Sequence, residues 1–228
     1  MAKLFVLGDI HGAYRALRQC LDRSGFDYMR DHLIFLGDVC DGWPETREAI
    51  DELMRIEHLT CLLGNHDQLA LPWMKSGEIG SSWINQGGEA TMKSYQDGVP
   101  HTHIAFLERA LPYYLLDQRC FVHAGFDPDR PIQLQDVSTL IWDRNLARRA
   151  LEAYHTRATG KLTAYRETFI GHTPIAFGNP IQGSDVWLMD TGAGWSGVLS
   201  MMDVETKEVF LSDKVPSLYP GVQGRGQR

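Results

Sequence analysis

The first part of the chain alternates short apolar runs with segments in which apolar residues recur at helical spacing. The runs KLFVLGD, HLIFLGD and LTCLLGN are continuous and of strand length, which is typical of strands covered on both faces. Three helices are predicted between and after these strands: over residues 13–23, from Pro44 onward, and from Asn65 to near Pro72. This alternation predicts a sheet covered by helices.

The pattern changes after Leu111. The segments YYLLDQRCFVHAG, TFIGHTP, DVWLMDTGAG and GVLSMMDVETKEVFLSD have the composition of strands joined by short loops, and DVETKEV is the clearest hairpin turn. Combined with the first part, this predicts an α/β fold in which two mixed β-sheets pack face to face with helices on the outside.

Length and composition favour one catalytic domain. The chain has 228 residues, of which 43% are hydrophobic, enough for a sizeable core. We expect a single domain over residues 1–215 and a flexible C-terminal tail over residues 216–228, because PGVQGRGQR is glycine-rich and polar. The first apolar run is too short for a signal peptide or a membrane span, which predicts a cytoplasmic protein with no membrane partner.

The overall charge argues against a general nucleic-acid binder. Lysine and arginine number 22 against 29 aspartates and glutamates, which gives a formal net charge of −7. A protein that binds phosphate backbones is more often basic, so nucleic acid is not the expected partner.

Glycine and metal-binding side chains follow five of the predicted strands. The motifs are GDIHG, GDVCDG, GNHD, HAG and GHTP, and the polar residues in them are Asp9, His11, Asp38, Asp41, Asn65, His66, His123 and His172. One such motif is more often a simple turn, but five in order at the strand ends of an α/β sheet favour a single ligand site. The mixture of imidazole, carboxylate and amide suits Mn²⁺, Fe or Zn²⁺ better than Ca²⁺ or Mg²⁺.

This series of motifs resembles the signature of the calcineurin-like metallophosphoesterases, in their phosphoprotein phosphatase branch. Within that branch it is most similar to the small bacterial and phage serine/threonine phosphatases, such as the lambda phage protein phosphatase. The segments WINQGG, IWDR and DTGAGWSGVLSMMDV add to the likeness, which extends from Lys3 to about Val209. The resemblance implies the four-layer αββα sandwich of that superfamily and a metal-dependent phosphomonoesterase. It also implies direct attack on phosphorus by a hydroxide that bridges two divalent metal ions. Mn²⁺ is the expected ion, with Fe or Zn²⁺ as alternatives.

The resemblance also implies a role for each motif residue. Asp9 and His11 would bind one ion, Asn65, His123 and His172 the other, and Asp38 both. A shared carboxylate offsets the repulsion between two closely spaced cations.

His66 corresponds to the general acid of the family, which protonates the leaving alkoxide. Asp41 would orient its imidazole; the alternative is that Asp41 only begins the helix near Pro44. Arg144 of IWDR matches a phosphate-binding arginine, and Asn65 would also contact the substrate.

Gly42 departs from the family pattern. The family usually has arginine directly after the aspartate of GDxVDRG, whereas this chain reads GDVCDGWP. The missing guanidinium predicts weaker monoester binding and a slacker preference for dianionic phosphate, and Gly42→Arg is expected to lower KM. Arg47 could substitute from the next helix, although an exposed helix arginine is the simpler interpretation.

The expected substrate is a phosphorylated protein or a small phosphoester. The alternatives within the superfamily are a symmetrical diadenosine tetraphosphate hydrolase and a phosphodiesterase. A metal-free binding scaffold is disfavoured, because all six implied ligands and His66 are present. The motifs describe the phosphate and leave the attached group, the native metal and the oligomeric state open.

Overall fold

Ten short strands form two five-stranded sheets. The computed structural model describes residues 2–225. The strands are β1 Leu4–Leu7, β2 His32–Phe35, β3 His58–Cys61, β4 Tyr113–Leu116, β5 Arg119–Val122, β6 Glu167–Ile170, β7 Ile181–Gly183, β8 Val186–Leu188, β9 Ser200–Asp203 and β10 Val209–Leu211. The first sheet has the order β10-β9-β1-β2-β3 and the second the order β4-β5-β6-β8-β7.

Helices connect and cover the strands. They are α1 Tyr14–Ser24, α2 Thr46–Leu53, α3 Asn65–Ser76, α4 Ser81–Trp83, α5 Glu89–Ser94, α6 His101–Glu108, α7 Val137–Trp142, α8 Asn145–Thr156 and α9 Val215–Leu218. A kinked turn spans Ile84–Gly88, with Gly87 at a φ angle of +104°, and a 3₁₀ turn spans Ile132–Leu134. None of the described helices is long and apolar enough to cross a membrane.

Both sheets are mixed, as the sequence predicts. In the first sheet β1, β2 and β3 are parallel and β9 runs antiparallel to β1. In the second sheet β5, β6 and β8 are parallel, with β4 and β7 antiparallel at the edges. Parallel neighbours end at the same edge of their sheet, so the loops that follow them lie side by side.

The core has three layers of apolar contacts. Along β1, Val6 packs between the two sheets, whereas Phe5 and Leu7 face the helices, as expected for side chains that alternate across a strand. Phe121 stacks on Phe169 between the sheets, with ring centroids 4.9 Å apart. Because both faces of each sheet are covered, central strands such as β1 and β2 are mostly apolar and buried. The prediction of face-to-face sheets with outer helices is confirmed.

The predicted end of the third helix is wrong. α3 passes through Pro72 and continues to Ser76. Proline inside a helix removes one hydrogen bond and costs about 3 kcal/mol. The last turn is nevertheless kept because Met74 is buried in the core and Trp73 packs on Trp83, with ring centroids 5.6 Å apart. Tertiary packing therefore outweighs the local stop signal.

The C-terminal segment has contacts that its composition does not predict. Tyr219 stacks on the buried Trp43, with ring centroids 5.1 Å apart, and the Trp43 indole N–H donates to the Ala193 carbonyl. Farther along, the Arg225 N–H donates to the Gly194 carbonyl at 3.0 Å. The tail was expected over residues 216–228; its last three residues lie outside the described part of the chain.

Candidate metal centre

Eight polar side chains from five loops meet at one edge of the sandwich. Asp9 and His11 follow β1, Asp38 and Asp41 follow β2, Asn65 and His66 begin α3, His123 follows β5 and His172 follows β6. All eight are buried, with at most 5% of their surface exposed. The structure therefore brings together the set of residues that the sequence motifs single out.

Asp38 lies at the middle of this cluster. Its Oδ2 atom is 3.7 Å from His11 Nε2 and 3.3 Å from His123 Nε2. Its carboxylate belongs to two groups of candidate ligands, one with His11 and His66 and one with His123 and His172. Within each group the ligand atoms lie within 4.8 Å of one another. One carboxylate thus faces two places where a cation could bind.

Backbone carbonyls orient two of the imidazoles. His11 Nδ1 donates to the Cys40 carbonyl at 3.0 Å, and His123 Nδ1 donates to the Leu36 carbonyl at 2.8 Å. A carbonyl only accepts, so Nδ1 carries the proton and Nε2 is directed toward Asp38. Metal-binding histidines in proteins are commonly held in this way.

Two buried ligand-type atoms in the cluster have no hydrogen-bond partner among residues 2–225. They are Asp9 Oδ1 and His172 Nε2. An unsatisfied buried polar atom costs about 1–3 kcal/mol, so such pairs of atoms are uncommon without a ligand. Burial, together with His123, lowers the pKa of His172 to about 2, which keeps this imidazole neutral and able to bind a metal. The donor set therefore fits divalent cations.

The charges at the centre are those of a cation site. Burial, and then Asp190, raises the pKa of Asp9 well above its usual value. Burial alone would lower the pKa of His123, but Asp38 raises it to about 9, so a proton supplies positive charge beside that carboxylate. The raised pKa of Asp9 and the raised pKa of His123 both indicate that the buried carboxylates of the cluster favour a positive charge beside them.

Asp9 lies outside the compact group of candidate ligands around His11, whereas His66 lies inside it. Asp9 Oδ2 is 4.0 Å from His11 Nε2 and accepts the His172 backbone N–H at 2.9 Å. The compact group around His11 contains His66 and Asp38. His66 Nδ1 donates to Asp41 at 2.8 Å, so its other ring nitrogen remains available to the cluster.

Asp41 is held by three donors. Besides His66, the Trp83 indole N–H at 2.9 Å and the Thr91 hydroxyl at 2.8 Å donate to its carboxylate. The helix that Asp41 could have begun starts only at Thr46. These contacts suit a carboxylate that fixes the His66 ring.

Four of the site residues have a left-handed backbone. The φ angles are +51° at His11, +62° at Asp38, +70° at Asp41 and +61° at His172. Residues with a Cβ atom avoid this region, at a cost of about 1–2 kcal/mol each. Strain of this kind collects at functional sites, where the surrounding hydrogen bonds hold it.

Asp67 is a site residue whose role the sequence analysis does not predict. Its two carboxylate oxygens accept the backbone N–H groups of Asp38, Val39 and Cys40 at 2.8–3.1 Å. It thereby ties the loop after β2 to the start of α3. The available signal was its position as the last residue of the GNHD motif, which by itself indicates only an acidic residue near a helix start.

Asp190 is a second residue that sequence reasoning missed. It follows β8 in DTGAG and is buried, and burial is the main reason why its pKa rises to about 6. Its charge acts directly on Asp9. The signal was again an aspartate and a glycine after a strand, the same pattern as in the recognised motifs.

Two arginines lie next to the cluster. Arg144, at the N-terminal end of α8, places Nη1 3.4 Å from Thr173 Oγ1 and 3.5 Å from the His172 carbonyl. Arg225 places Nη1 3.4 Å from His11 Nε2. The sequence motifs predict Arg144 but contain no signal for Arg225.

Comparisons with known proteins give matches over most of the chain. A family model described as calcineurin-like phosphoesterase matches residues 2–196. Serine/threonine-protein phosphatase 1 of Salmonella typhimurium is 26% identical over 89% of this chain and 92% of the relative. The symmetrical bis(5'-nucleosyl)-tetraphosphatase of Pseudomonas fluorescens is 25% identical over 90% and 93%. A protein serine/threonine phosphatase structure from Saccharomyces cerevisiae has a TM-score of 0.63 at 12% identity, covering 99% of this chain and 84% of that one.

Proposed function

The chain belongs to the calcineurin-like phosphoesterase family, and from this premise we propose that it hydrolyses phosphomonoesters with the help of two divalent metal ions. The observation that carries the proposal is the position of Asp38, whose carboxylate is shared by two groups of buried candidate ligands. Two-metal centres of this kind are common in phosphoryl-transfer enzymes.

The ligands for the two ions come from both sheets. Asp9 and His11 would hold one ion, Asn65, His123 and His172 the other, and Asp38 both. Mn²⁺ is the ion we favour, with Fe or Zn²⁺ as alternatives, because the donor set combines imidazole, carboxylate and amide. When bound, the ions lower the pKa of water and offset negative charge on the phosphate.

His66 would donate a proton to the leaving alkoxide. Its Nδ1 is occupied by Asp41 at 2.8 Å, so the opposite ring nitrogen faces the cluster. A proton donor is needed there because the alkoxide of serine or threonine is a poor leaving group. Asp41 keeps the ring in one tautomer and one orientation.

Arg144 and Asn65 would position the phosphate. Arg144 lies beside the His172 backbone, and its guanidinium can pair with two phosphate oxygens at once. Asn65 begins α3, and its Oδ1 is 3.1 Å from His123 Nε2. An amide at this position has an oxygen for a metal and an N–H for the substrate.

Phosphoserine or phosphothreonine in a protein is the substrate class that we favour, with small aryl phosphates as accessory substrates. The support is the relative named serine/threonine-protein phosphatase 1. A second candidate is hydrolysis of diadenosine tetraphosphate, because the relative named symmetrical bis(5'-nucleosyl)-tetraphosphatase matches 90% of the chain, against 89% for the phosphatase. A phosphodiesterase is a further alternative.

A substrate panel with added Mn²⁺ tests the proposal. We expect metal-dependent release of phosphate from a phosphopeptide and from p-nitrophenyl phosphate, and loss of both in Asp38→Asn. The exposed Asp22→Asn is the matched control. ADP formed from diadenosine tetraphosphate at a higher kcat/KM would favour the second candidate. If the metal-loaded protein hydrolyses none of these substrates, the proposal is wrong.

A further inference from the structure

The space next to Gly42 is filled by another residue. Gly42 has a φ angle of +116°, which residues with side chains rarely adopt. A Cβ atom built on Gly42 would point at the Arg225 side chain, with Arg225 Cγ 3.0 Å away and His11 Cβ 3.3 Å away. An arginine from the far end of the chain therefore lies where a side chain at position 42 would begin.

Defined contacts anchor the segment that carries this arginine. The Arg225 backbone N–H donates to the Gly194 carbonyl at 3.0 Å. Gly224 passes so close to Trp43 that an added Cβ would lie 2.8 Å from that ring. Tyr219 stacks on the Trp43 ring as well, with ring centroids 5.1 Å apart. The backbone near Arg225 is thus held against the rim of the metal centre.

The guanidinium of Arg225 is directed into the cluster. Its Nη1 is 3.4 Å from His11 Nε2, and its Nε donates to the Gln86 carbonyl at 3.3 Å. Its flat face covers the Trp195 ring, 4.9 Å from the centroid. Asp38 and Asp41 are its strongest charge neighbours, yet no carboxylate within residues 2–225 forms an ion pair with it at 4.0 Å or less. Nearby carboxylates therefore act on the guanidinium through space, without a direct ion pair that would occupy its N–H donors.

We propose that Arg225 is the phosphate-binding residue that takes the place of the arginine absent at position 42, and that it sets the preference for dianionic monoesters. This inference rests on the proposed function. A guanidinium offers paired N–H donors that fit two oxygens of one phosphate. A monoester dianion has one more charged oxygen than a diester for this pairing, so the contribution of Arg225 is larger for monoesters.

This inference changes the expectation for Gly42→Arg. The sequence analysis expects that substitution to lower KM by restoring a missing guanidinium. In the structure, a side chain at position 42 would be strained by its φ angle and would displace Arg225. We therefore expect Gly42→Arg to leave KM unchanged or to raise it.

Two substitutions at Arg225 test the proposal in the full chain with Mn²⁺. Arg225→Gln removes the charge, and Arg225→Lys keeps it but loses the paired donors. The control is Arg30→Gln, an exposed arginine before β2, at the opposite end of that strand from the cluster. The measurements are the affinity for inorganic phosphate by calorimetry, bound Mn²⁺ by elemental analysis, and kcat and KM for p-nitrophenyl phosphate and bis(p-nitrophenyl) phosphate.

We expect Arg225→Gln to weaken phosphate binding and to lower monoester kcat/KM, each by about 10- to 100-fold. In Arg225→Gln, diester kcat/KM should change by less than about 3-fold, and the Mn²⁺ content should stay the same. The phosphate affinity and monoester kcat/KM of Arg225→Lys should fall between those of the wild type and Arg225→Gln. Gly224→Ala provides a second variant, because it keeps the guanidinium but pushes the segment off Trp43 and Gly194. It should reproduce Arg225→Gln, whereas Gly160→Ala, where an added Cβ meets nothing within 4 Å, should not.

Three outcomes would overturn the role of Arg225: unchanged phosphate affinity in Arg225→Gln, loss of bound Mn²⁺, or higher activity, which would mean that the segment blocks the site. Phosphate binding is measured without turnover. If the wild-type protein binds phosphate through Arg225 but hydrolyses no substrate, the proposed function fails and this assignment stands.

Discussion

Asp41 shows how one buried carboxylate can fix the geometry of a neighbouring side chain. It has no exposed surface, and His66, Trp83 and Thr91 all donate to it. Because three donors converge on two oxygens, neither the carboxylate nor the His66 ring can rotate without leaving a buried donor unsatisfied. At the residue scale, the hydrogen bonds of Asp41 are satisfied and fix the His66 ring. By contrast, Asp9 Oδ1 and His172 Nε2 in the same cluster have no hydrogen-bond partner among residues 2–225.

Asp41→Asn tests this arrangement. The amide NH₂ would face at least one of the three donors, so the His66 ring would lose its fixed orientation. We expect kcat to fall by about 100-fold or more, the range of general acid catalysis. Bound Mn²⁺ should not change, because neither Asp41 nor His66 is among the six proposed metal ligands.

The control for this substitution is Asp22→Asn, an exposed carboxylate on α1. Steady-state kinetics and elemental analysis on the same samples separate the two effects. Unchanged kcat, or a loss of metal in Asp41→Asn, would contradict the positioning role.

At the scale of elements, the loops after the strands act together because Asp67 connects two of them. Asp67 lies in the first turn of α3, and its carboxylate binds the backbone of the β2 loop that carries Asp38. It is buried next to Asp38, and burial followed by that neighbouring charge raises its pKa to about 6. The position of Asp38, the proposed shared ligand, is therefore set by a helix that follows a different strand.

Asp67→Asn should weaken both the fold and the metal centre. Its NH₂ group would face backbone N–H groups, so we expect the free energy of unfolding to fall by about 2–3 kcal/mol. Mn²⁺ affinity should also fall, because the Asp38 backbone loses its anchor. Denaturant unfolding and metal titration measure the two effects, and Asp67→Glu should recover part of both. A loss of stability with unchanged Mn²⁺ affinity would show that Asp67 has only a structural role.

At the scale of the whole molecule, the metal centre depends on both sheets. Asp9, His11 and Asp38 follow strands of the first sheet, whereas His123 and His172 follow strands of the second. Neither sheet alone holds the complete set of ligand candidates. The candidate ligands come together only when the two sheets pack, so metal binding at this place would be coupled to folding.

Mn²⁺ should therefore raise the melting temperature. Saturation at about 100 times Kd contributes about 2.7 kcal/mol, and each kcal/mol shifts Tm by about 2–4 °C in a chain of this size. We expect a rise of about 5–10 °C in thermal unfolding, reversed by a chelator. Asp38→Asn, which lacks the shared carboxylate, should lose most of the shift. An equal shift in that variant would contradict the position of Asp38 between the two ions.

Much of the fold and of the ligand set could be predicted from local pattern. Strands buried on both faces must be mostly apolar, which is why β1 and β2 are visible in the sequence. β3 lies at the edge of its sheet and is only partly buried, and its signal comes from the apolar run that continues to Leu63. Their following loops must combine sharp turns with polar side chains, which is why Asp9, Asp38 and His172 are recognisable by motif. The three-residue strand β7 has no such pattern, because it depends on pairing with β8.

The sequence by itself determined the two-sheet architecture, the family and the identity of the candidate ligands. Each of these can be recognised from a few consecutive residues, namely the apolar strands and the motifs that follow them. Only the tertiary structure decided that α3 continues past Pro72, that Asp190 lies close enough to act on Asp9, and that Arg225 reaches His11. The last contact joins residues 214 positions apart. Local spacing carries no information about such a pair, since their meeting is set by how the whole chain packs.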